Sequence, residues 1–232
     1  EEEFSDFIRC RYECREWYQY VSGRRRIVGQ ISGDAGSQCR RICARSGLVI
    51  NFYNERRKQL LDVEPNAGHI GLAELEKDFN VTVVTQNVDN LHERAGSTRI
   101  IHLHGELTKV CSSRDPYNPR YVKELKPEEY EVKMGDKAGD GSQLRPFIVW
   151  FGEAVPEIET AVDYVEKADI FVIIGTSMNV YPAAGLLNYV PRTAEVYLID
   201  PKPVDTHSMR QIHIIQKGAS EGVKELKKLL SV

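Results

Sequence analysis

Short apolar strands alternating with helices predict an α/β protein: a doubly wound parallel sheet covered by helices on both faces, with one polar excursion and one irregular N-terminal segment. Three observations carry that prediction. Aliphatic and β-branched runs recur between helical repeats, as strands buried on both faces require. Residues from about 108 to 144 are polar and turn-rich, and so stand outside the sheet. Residues 1 to 46 hold nine Arg, four of the five Cys and no Lys or Leu, whereas the leucines begin at Leu48. Leu is among the commonest residues of globular domains, so the composition breaks at a seam near residue 47.

Before the seam, residues 13–32, ECREWYQYVSGRRRIVGQIS, follow neither a helical nor a strand period. After it, FYNERRKQLLD reads as a helix. NAGHIGLAELEKD (66–78) sets Ile70, Leu72, Leu75 and the following Phe79 at near-helical spacing, and NVTVVTQN reads as a buried strand. STRIIHLHG, RPFIVWFG, ADIFVIIGTS, AEVYLID and RQIHIIQKG read as further strands of the sheet. VPEIETAVDYVEKA and ASEGVKELKKLLS read as helices, the last with Lys in its final turns, where the helix dipole favours cations.

The totals bound the function. A chain of 232 residues, 41% hydrophobic and 28% charged, buries one sizeable core or a larger domain with a small insert. Its net charge of −3 gives no global attraction to nucleic acid or to an anionic membrane. No apolar run approaches the roughly 18 residues of a membrane span. The opening EEEFSDF is acidic where a signal peptide is basic and then apolar, so the expectation is a cytoplasmic globular protein.

Ligands of doubly wound sheets bind beyond the carboxyl ends of the strands. Here those ends carry Thr85, Gln86, Asn87 and Asp89 after VTVV, His104 and Gly105 after RIIHL, and Gly175, Thr176 and Ser177 after FVII. Amide, carboxylate, imidazole and hydroxyl groups converging there suit a ligand bearing riboses and an amide. Singly each is weak, because a histidine at a strand end is usually a plain hydrogen-bonding residue and Gly-Thr-Ser a turn.

Taken together and in order, PNAGHIGLAELE, TQNVDNLHERAGS, IIHLHGEL, RPFIVWFGE, ADIFVIIGTSMNVYPAAGL and VYLIDP resemble the sirtuins, NAD-dependent protein lysine deacylases, over most of residues 48–232. The resemblance implies a Rossmann-like domain with a small inserted domain, NAD as cofactor and acyl-lysine peptides or proteins as partners. It implies that Gln86, Asn87 and Asp89 hold the nicotinamide ribose and carboxamide. His104 is then the general base, a task matched to an imidazole titrating near neutral pH. Gly175, Thr176 and Ser177 meet phosphate or ribose, Asp200 meets the adenosine ribose, and Ala219 lies near adenine. Asp200 stands where many relatives have asparagine, and either accepts a ribose hydroxyl. Phe151, Gly152 and Glu153 offer a strand edge to the substrate peptide. A monomer is the expected state.

Two further features refine the resemblance. Tyr53 and Arg56 lie three apart and so on one helix face. Sirtuins that remove succinyl, malonyl or glutaryl groups carry Tyr-x-x-Arg at this place, the guanidinium forking onto the acyl carboxylate. The small domain holds Cys111 and no second cysteine, so a four-thiolate zinc cannot form, no zinc is expected, and the loop is held by its own packing.

The N-terminal segment lacks the Gly-Ala-Gly-x-Ser loop with which the family cradles the NAD phosphates on backbone amides. Back-translated with permitted codons and read one base on, residues 13–32 become SAESGISTFRDAGGLWDKY, and residues 1–12 decode to KKNLVILSGAGM. Residues 1 to about 46 therefore read as an out-of-frame translation, with frame restored before Leu48, ahead of a catalytic domain over 47–232. Two alternatives stand beside the enzyme: an inactive relative that only binds acyl-lysine, and a zinc-dependent nucleic-acid module on Cys10, Cys14, Cys39 and Cys43, whose C-x3-C-x24-C-x3-C spacing is loose.

Overall fold

The computed structural model describes residues 46–150, 153–175, 183–203 and 211–231. The chain divides into two units, residues 1–46 with 150–153, and residues 47–149 with 154–232. The larger unit contains nearly everything described below.

Helix α1 (Ser46–Leu61) begins earlier than FYNERRKQLLD predicts, because SGLVIN joins it. Helix α2 (Ala67–Leu75) starts on Asn66, whose side chain accepts the amides of Gly68 and His69. In return, His69 Nδ1 takes the Asn66 N–H, so orphan donors at the helix start are satisfied from both sides. Strand β1 (Val83–Thr85), the short helix α3 (Leu91–Ala95) and strand β2 (Ile100–His102) follow, and β1 and β2 pair in parallel, Val84 opposite Ile101. Strands β3 (Gly105–Ser112), β4 (Lys123–Glu124) and β5 (Leu144–Ile148) make an antiparallel sheet of order β4-β3-β5, with a register shift between Glu106 and Val110. Helix α4 (Ile158–Val165), β6 (Ile170–Ile174), a 3₁₀ turn (Ala183–Tyr189), β7 (Glu195–Ile199), β8 (His213–Ile215) and α5 (Ala219–Leu229) complete the chain, with β6-β7-β8 parallel.

One expectation is corrected. RPFIVWFG is a strand, but as β5 it runs antiparallel to β3 in the inserted lobe rather than in the parallel layer. An apolar run says that a strand is buried and says nothing of the direction of its neighbour. The lobe accordingly reaches back to Gly105, before the polar excursion begins.

The parallel strands share a core. Ile101 and Leu103 cluster with Ile173, Val196 and Leu198, while Ala161 and Val165 of α4 cover that side. On the other side Tyr197, Ile199 and Ile215 pack with Leu75 of α2 and with Val223 and Leu226 of α5. Helices on both faces of parallel strands are the doubly wound arrangement predicted. Among the described residues, however, the ladders stop between β1 and β6. In the six-strand order 3-2-1-4-5-6, β2 and β1 occupy the places of strands 3 and 2, and β6, β7 and β8 those of 4, 5 and 6.

Candidate functional site

Three successive carbonyls leave the end of β1, and each is taken by a donor from the segment that runs from the end of β2 into β3. The Gln86 carbonyl lies 3.1 Å from His104 Nδ1, the Asn87 carbonyl 3.1 Å from His102 Nδ1, and the Val88 carbonyl accepts the Leu107 N–H at 2.6 Å. Thr85 is buried and its hydroxyl accepts the Asn87 N–H at 3.1 Å. Asp89, also buried, turns Oδ1 onto the Leu91 N–H at 3.1 Å and so helps to start α3. The loop after β1 that carries Gln86, Asn87 and Asp89 is therefore tied directly to the β2–β3 turn that carries His104.

The geometry sets the tautomer of His104. A carbonyl accepts, so Nδ1 must donate, and in the neutral ring the lone pair then lies on Nε2. That is the form a general base requires. Gly105, immediately after it, has φ +80°, and a Cβ there would sit 2.1 Å from the Phe147 carbonyl oxygen, so only glycine lets β3 leave the site against β5.

The second group of predicted residues lies at the carboxyl ends of the other parallel strands. Gly175 ends β6 with φ +59°, no described residue apart from its chain neighbours lies within 4 Å of where its Cβ would stand, and its N–H donates to the Ile199 carbonyl at 3.0 Å. Asp200 follows β7, and its Oδ1 accepts the Lys202 N–H at 2.8 Å. Ala219 is the first residue of α5. Thr176, Ser177, Phe151 and Gly152 lie outside the described residues. Glu153 lies beyond the end of β5 in a turn: its N–H bonds the Trp150 carbonyl and its carboxylate accepts the Trp150 N–H.

On α1, Tyr53 and Arg56 are half-buried. The Arg56 guanidinium lies 5.0 Å over the Phe52 ring and donates to Gln59 Oε1 at 2.7 Å. Its neighbour Arg57, which the sequence did not single out, is 3% exposed. Arg57 donates to the Leu107 carbonyl at 2.7 Å and to Asn54 Oδ1 at 2.9 Å, and burial drops its pKa to about 10. Asn54 in turn bonds both the N–H and the carbonyl of Val132. Cys111 is fully buried and points its thiol at the Pro146 carbonyl.

Two histidine features were also missed. His69 and His92 stand edge to face at 4.7 Å, and burial pushes both below the usual histidine range, His92 down to about 4. His102 holds Glu93 Oε1 at 2.7 Å through Nε2. No local pattern signals that pairing, because Glu93 reaches His102 from α3. Among the described residues, Glu93, His102 and Glu106 also bring three ligand atoms within 4.8 Å of one another, but Lys109 neutralises Glu106 at 2.6 Å.

Parallel strands flanked by helices, with amides, carboxylates and an imidazole at their carboxyl ends, define an α/β nucleotide-site protein carrying an inserted antiparallel lobe. The chain belongs to the Sir2 family, whose model matches residues 37–182. It is 86% identical over 183 residues to a NAD-dependent protein deacylase of Bacteroides thetaiotaomicron, covering 79% of this chain and 78% of the relative. It is 49% identical over 178 residues to a protein of the same name from Helicobacter pylori, covering 77% and 75%. Among solved structures, a Sir2 homologue in complex with NAD matches at TM-score 0.70 and 32% identity, over 82% of this chain and 76% of that one. A Sir2 complex with a p53 peptide and NAD+ matches at TM-score 0.61 and 27% identity, over 75% and 73%. No helix among the described residues is long and apolar enough to cross a membrane.

Proposed function

We propose that this chain is an NAD-dependent protein lysine deacylase that transfers the acyl group of an acyl-lysine peptide to ADP-ribose and releases nicotinamide. The observation that carries the reading is His104, held in the tautomer of a base by the Gln86 carbonyl of the loop that also carries Asn87 and Asp89. The donor set fits the cofactor. Amides at Gln86 and Asn87 suit a carboxamide, carboxylates at Asp89 and Asp200 suit ribose hydroxyls, and Gly175, lacking a side chain at a strand end, permits a close approach to its backbone. NAD supplies the electrophilic ribose carbon and the leaving nicotinamide. His104 Nε2 takes the proton of a ribose hydroxyl, while the carbonyl on Nδ1 steadies the imidazolium that forms. Gln86, Asn87 and Asp89 orient the ribose and carboxamide, an effect that rests on positioning within a turn held at three carbonyls.

The acyl preference follows from α1. Tyr53 and Arg56 give a phenol and a guanidinium fork on one helix face, which suits a carboxylate-bearing acyl group, so succinyl-lysine is turned over along with acetyl-lysine. Arg56→Met should lower the turnover of succinyl-lysine and spare that of acetyl-lysine; equal rates on succinyl-lysine before and after would refute the preference. The enzyme acts in the cytoplasm, where NAD is at hand, as a monomer.

One feature supports a second reading. Residues 1–46 lack the glycine-rich phosphate loop, so a chain translated in this frame binds NAD weakly and is a non-catalytic acyl-lysine binder. Nicotinamide release from NAD in the presence of an acyl-lysine peptide separates the two. Release dependent on His104 supports the enzyme, and peptide binding without release supports the binder. The DNA encoding residues 1–50, with the intact mass of the native protein, decides whether the segment is shifted in frame.

A further inference from the structure

We propose that His102 is a positioning residue of this site, clamped between the Glu93 carboxylate and the Asn87 carbonyl so that it fixes the loop that holds Asn87 beside His104. The proposal rests on the deacylase reading for its kinetic consequence and on geometry alone for the clamp. His102 Nδ1 lies 3.1 Å from the Asn87 carbonyl oxygen and Nε2 lies 2.7 Å from Glu93 Oε1. Glu93 stands on α3, the helix whose start is tied by Asp89. The contacts close a ring: from Asn87 along the chain through Asp89 to Glu93, across to His102, and back to the Asn87 carbonyl. Beside it, His104 holds the Gln86 carbonyl. Two imidazoles two residues apart thus grip two successive carbonyls, one ring acting as base and the other as brace.

Both acceptors of His102 lack hydrogens to give, so satisfying them together requires the doubly protonated ring. Burial works against that charge, but the Glu93 hydrogen bond and charge overcome it and hold the ring above its ordinary pKa, helped by Glu106 from β3. His92 of α3 does not oppose it, because burial keeps that ring neutral. When His102 loses its proton, the one remaining N–H goes to the carboxylate, the stronger partner. The Nδ1 lone pair then faces the Asn87 carbonyl and the turn loosens. Because the folded pKa is raised, the clamp is complete below the ordinary histidine value of about 6.5 and is lost as pH rises through the higher folded value.

The test uses the full chain with NAD and an acyl-lysine peptide, with steady-state kinetics from about pH 6 to about pH 9. His102→Leu should lower kcat/KM for NAD about tenfold, the worth of one charge-assisted hydrogen bond. His102→Gln, whose amide N–H can reach the same carbonyl, should recover most of that loss. In the wild type the KM for NAD should rise on the alkaline side. Glu93→Gln should flatten that rise, because its amide donates to Nε2 and leaves Nδ1–H for Asn87 at every pH. An unchanged KM and pH profile in His102→Leu would overturn the proposal. Histidine-selective nitrogen NMR on the chain without NAD supplies a readout that needs no turnover. His102 should titrate above the ordinary value and fall in Glu93→Gln, and the Asn87 amide should shift in His102→Leu. If wild type and variants alike release no nicotinamide, the deacylase reading fails, and the NMR titration still decides the clamp: a His102 that titrates normally, with Asn87 unmoved in His102→Leu, overturns it.

Discussion

In the β6-β7-β8 sheet the central strand buries Val196, Tyr197, Leu198 and Ile199 in succession, with aliphatic side chains from helices on both faces. Around the β4-β3-β5 sheet the clustered apolar core is small, Ile50, Val110 and Val132 with Leu125 and Leu144 against them, although β3 and β5 also bury Leu107, Cys111 and Ile148. Polar groups do the remaining work there. Asn54 and Arg57 of α1 reach the backbone of Leu107, Tyr130 and Val132, and Ser112 gathers Asp140, Ser142 and the amides of Arg114 and Asp115 onto one hydroxyl. The difference teaches how a lobe with one buried cysteine keeps its shape. A hub of hydrogen bonds to backbone fixes loops that apolar burial alone leaves free, since each such buried donor is costly to leave unpaired.

The sharpest way to break the comparison is at the point where the two regions join. Gly105→Ala puts a Cβ 2.1 Å from the Phe147 carbonyl at a φ of +80°, so β3 must part from β5 or the chain must strain. The expected loss is roughly 4 kcal/mol or more, at the top of the range for single substitutions. Hydrogen exchange should show the antiparallel ladder opening while β6-β7-β8 stays protected. Equal loss of protection in both sheets would mean that they unfold as one unit.

Next is Leu198→Ala in the parallel layer. Leu198 is fully buried, and its removal leaves a cavity among packed neighbours, with an expected cost of about 2–5 kcal/mol in denaturant unfolding. Arg57→Met in the lobe keeps the aliphatic stem and removes the guanidinium. It takes the guanidinium donors from the Leu107 and Tyr130 carbonyls, while Asn54 Oδ1 keeps the Val132 N–H, and should cost about 1–3 kcal/mol. A cost for Arg57→Met above that of Leu198→Ala would reverse the ranking of burial and polar hub.

The same contrast explains what the sequence could show. Aliphatic runs such as IFVII and VYLI announce the parallel layer, because burial on both faces leaves a compositional mark. Polar hubs leave none. Ser112, Asp140 and Ser142 are scattered through a stretch that reads only as loop, and Arg57 is indistinguishable in FYNERR from the partly exposed Arg56 until the helix is turned against the lobe. The site divides in the same manner. The position of Gln86, Asn87, Asp89 and His104 beyond the ends of β1 and β2 was legible, because the strands before them carry an apolar signal. The pairing of His102 with Glu93 depends on how α3 returns toward β2, which no local pattern encodes.

Acid separates the regions with the finest resolution. On the side of the parallel strands β1 and β2, His92 is buried, its Nδ1 has no hydrogen-bond partner among the described residues, and burial drops its pKa to about 4. A histidine whose folded pKa is lowered adds stability above its unfolded value of about 6.5, and that contribution is lost as pH falls toward 4, on the order of 3 kcal/mol in all. In the lobe, the Ser112 and Ser142 hydrogen bonds hold Asp140 down at about 2. A carboxylate lowered in this way contributes fully above its unfolded value of about 3.9 and loses the contribution as pH falls through 2. Acidification should therefore loosen the α2–α3 region first, between about pH 6.5 and 4, and the Ser112–Asp140 hub only below that. His92→Leu should remove the first step and leave the second, whereas Asp140→Asn should leave the first and erase the second. Hydrogen exchange read at α3 and at β3 along a pH series gives both steps from one experiment, and a single transition common to both segments would mean that the two regions share one cooperative core.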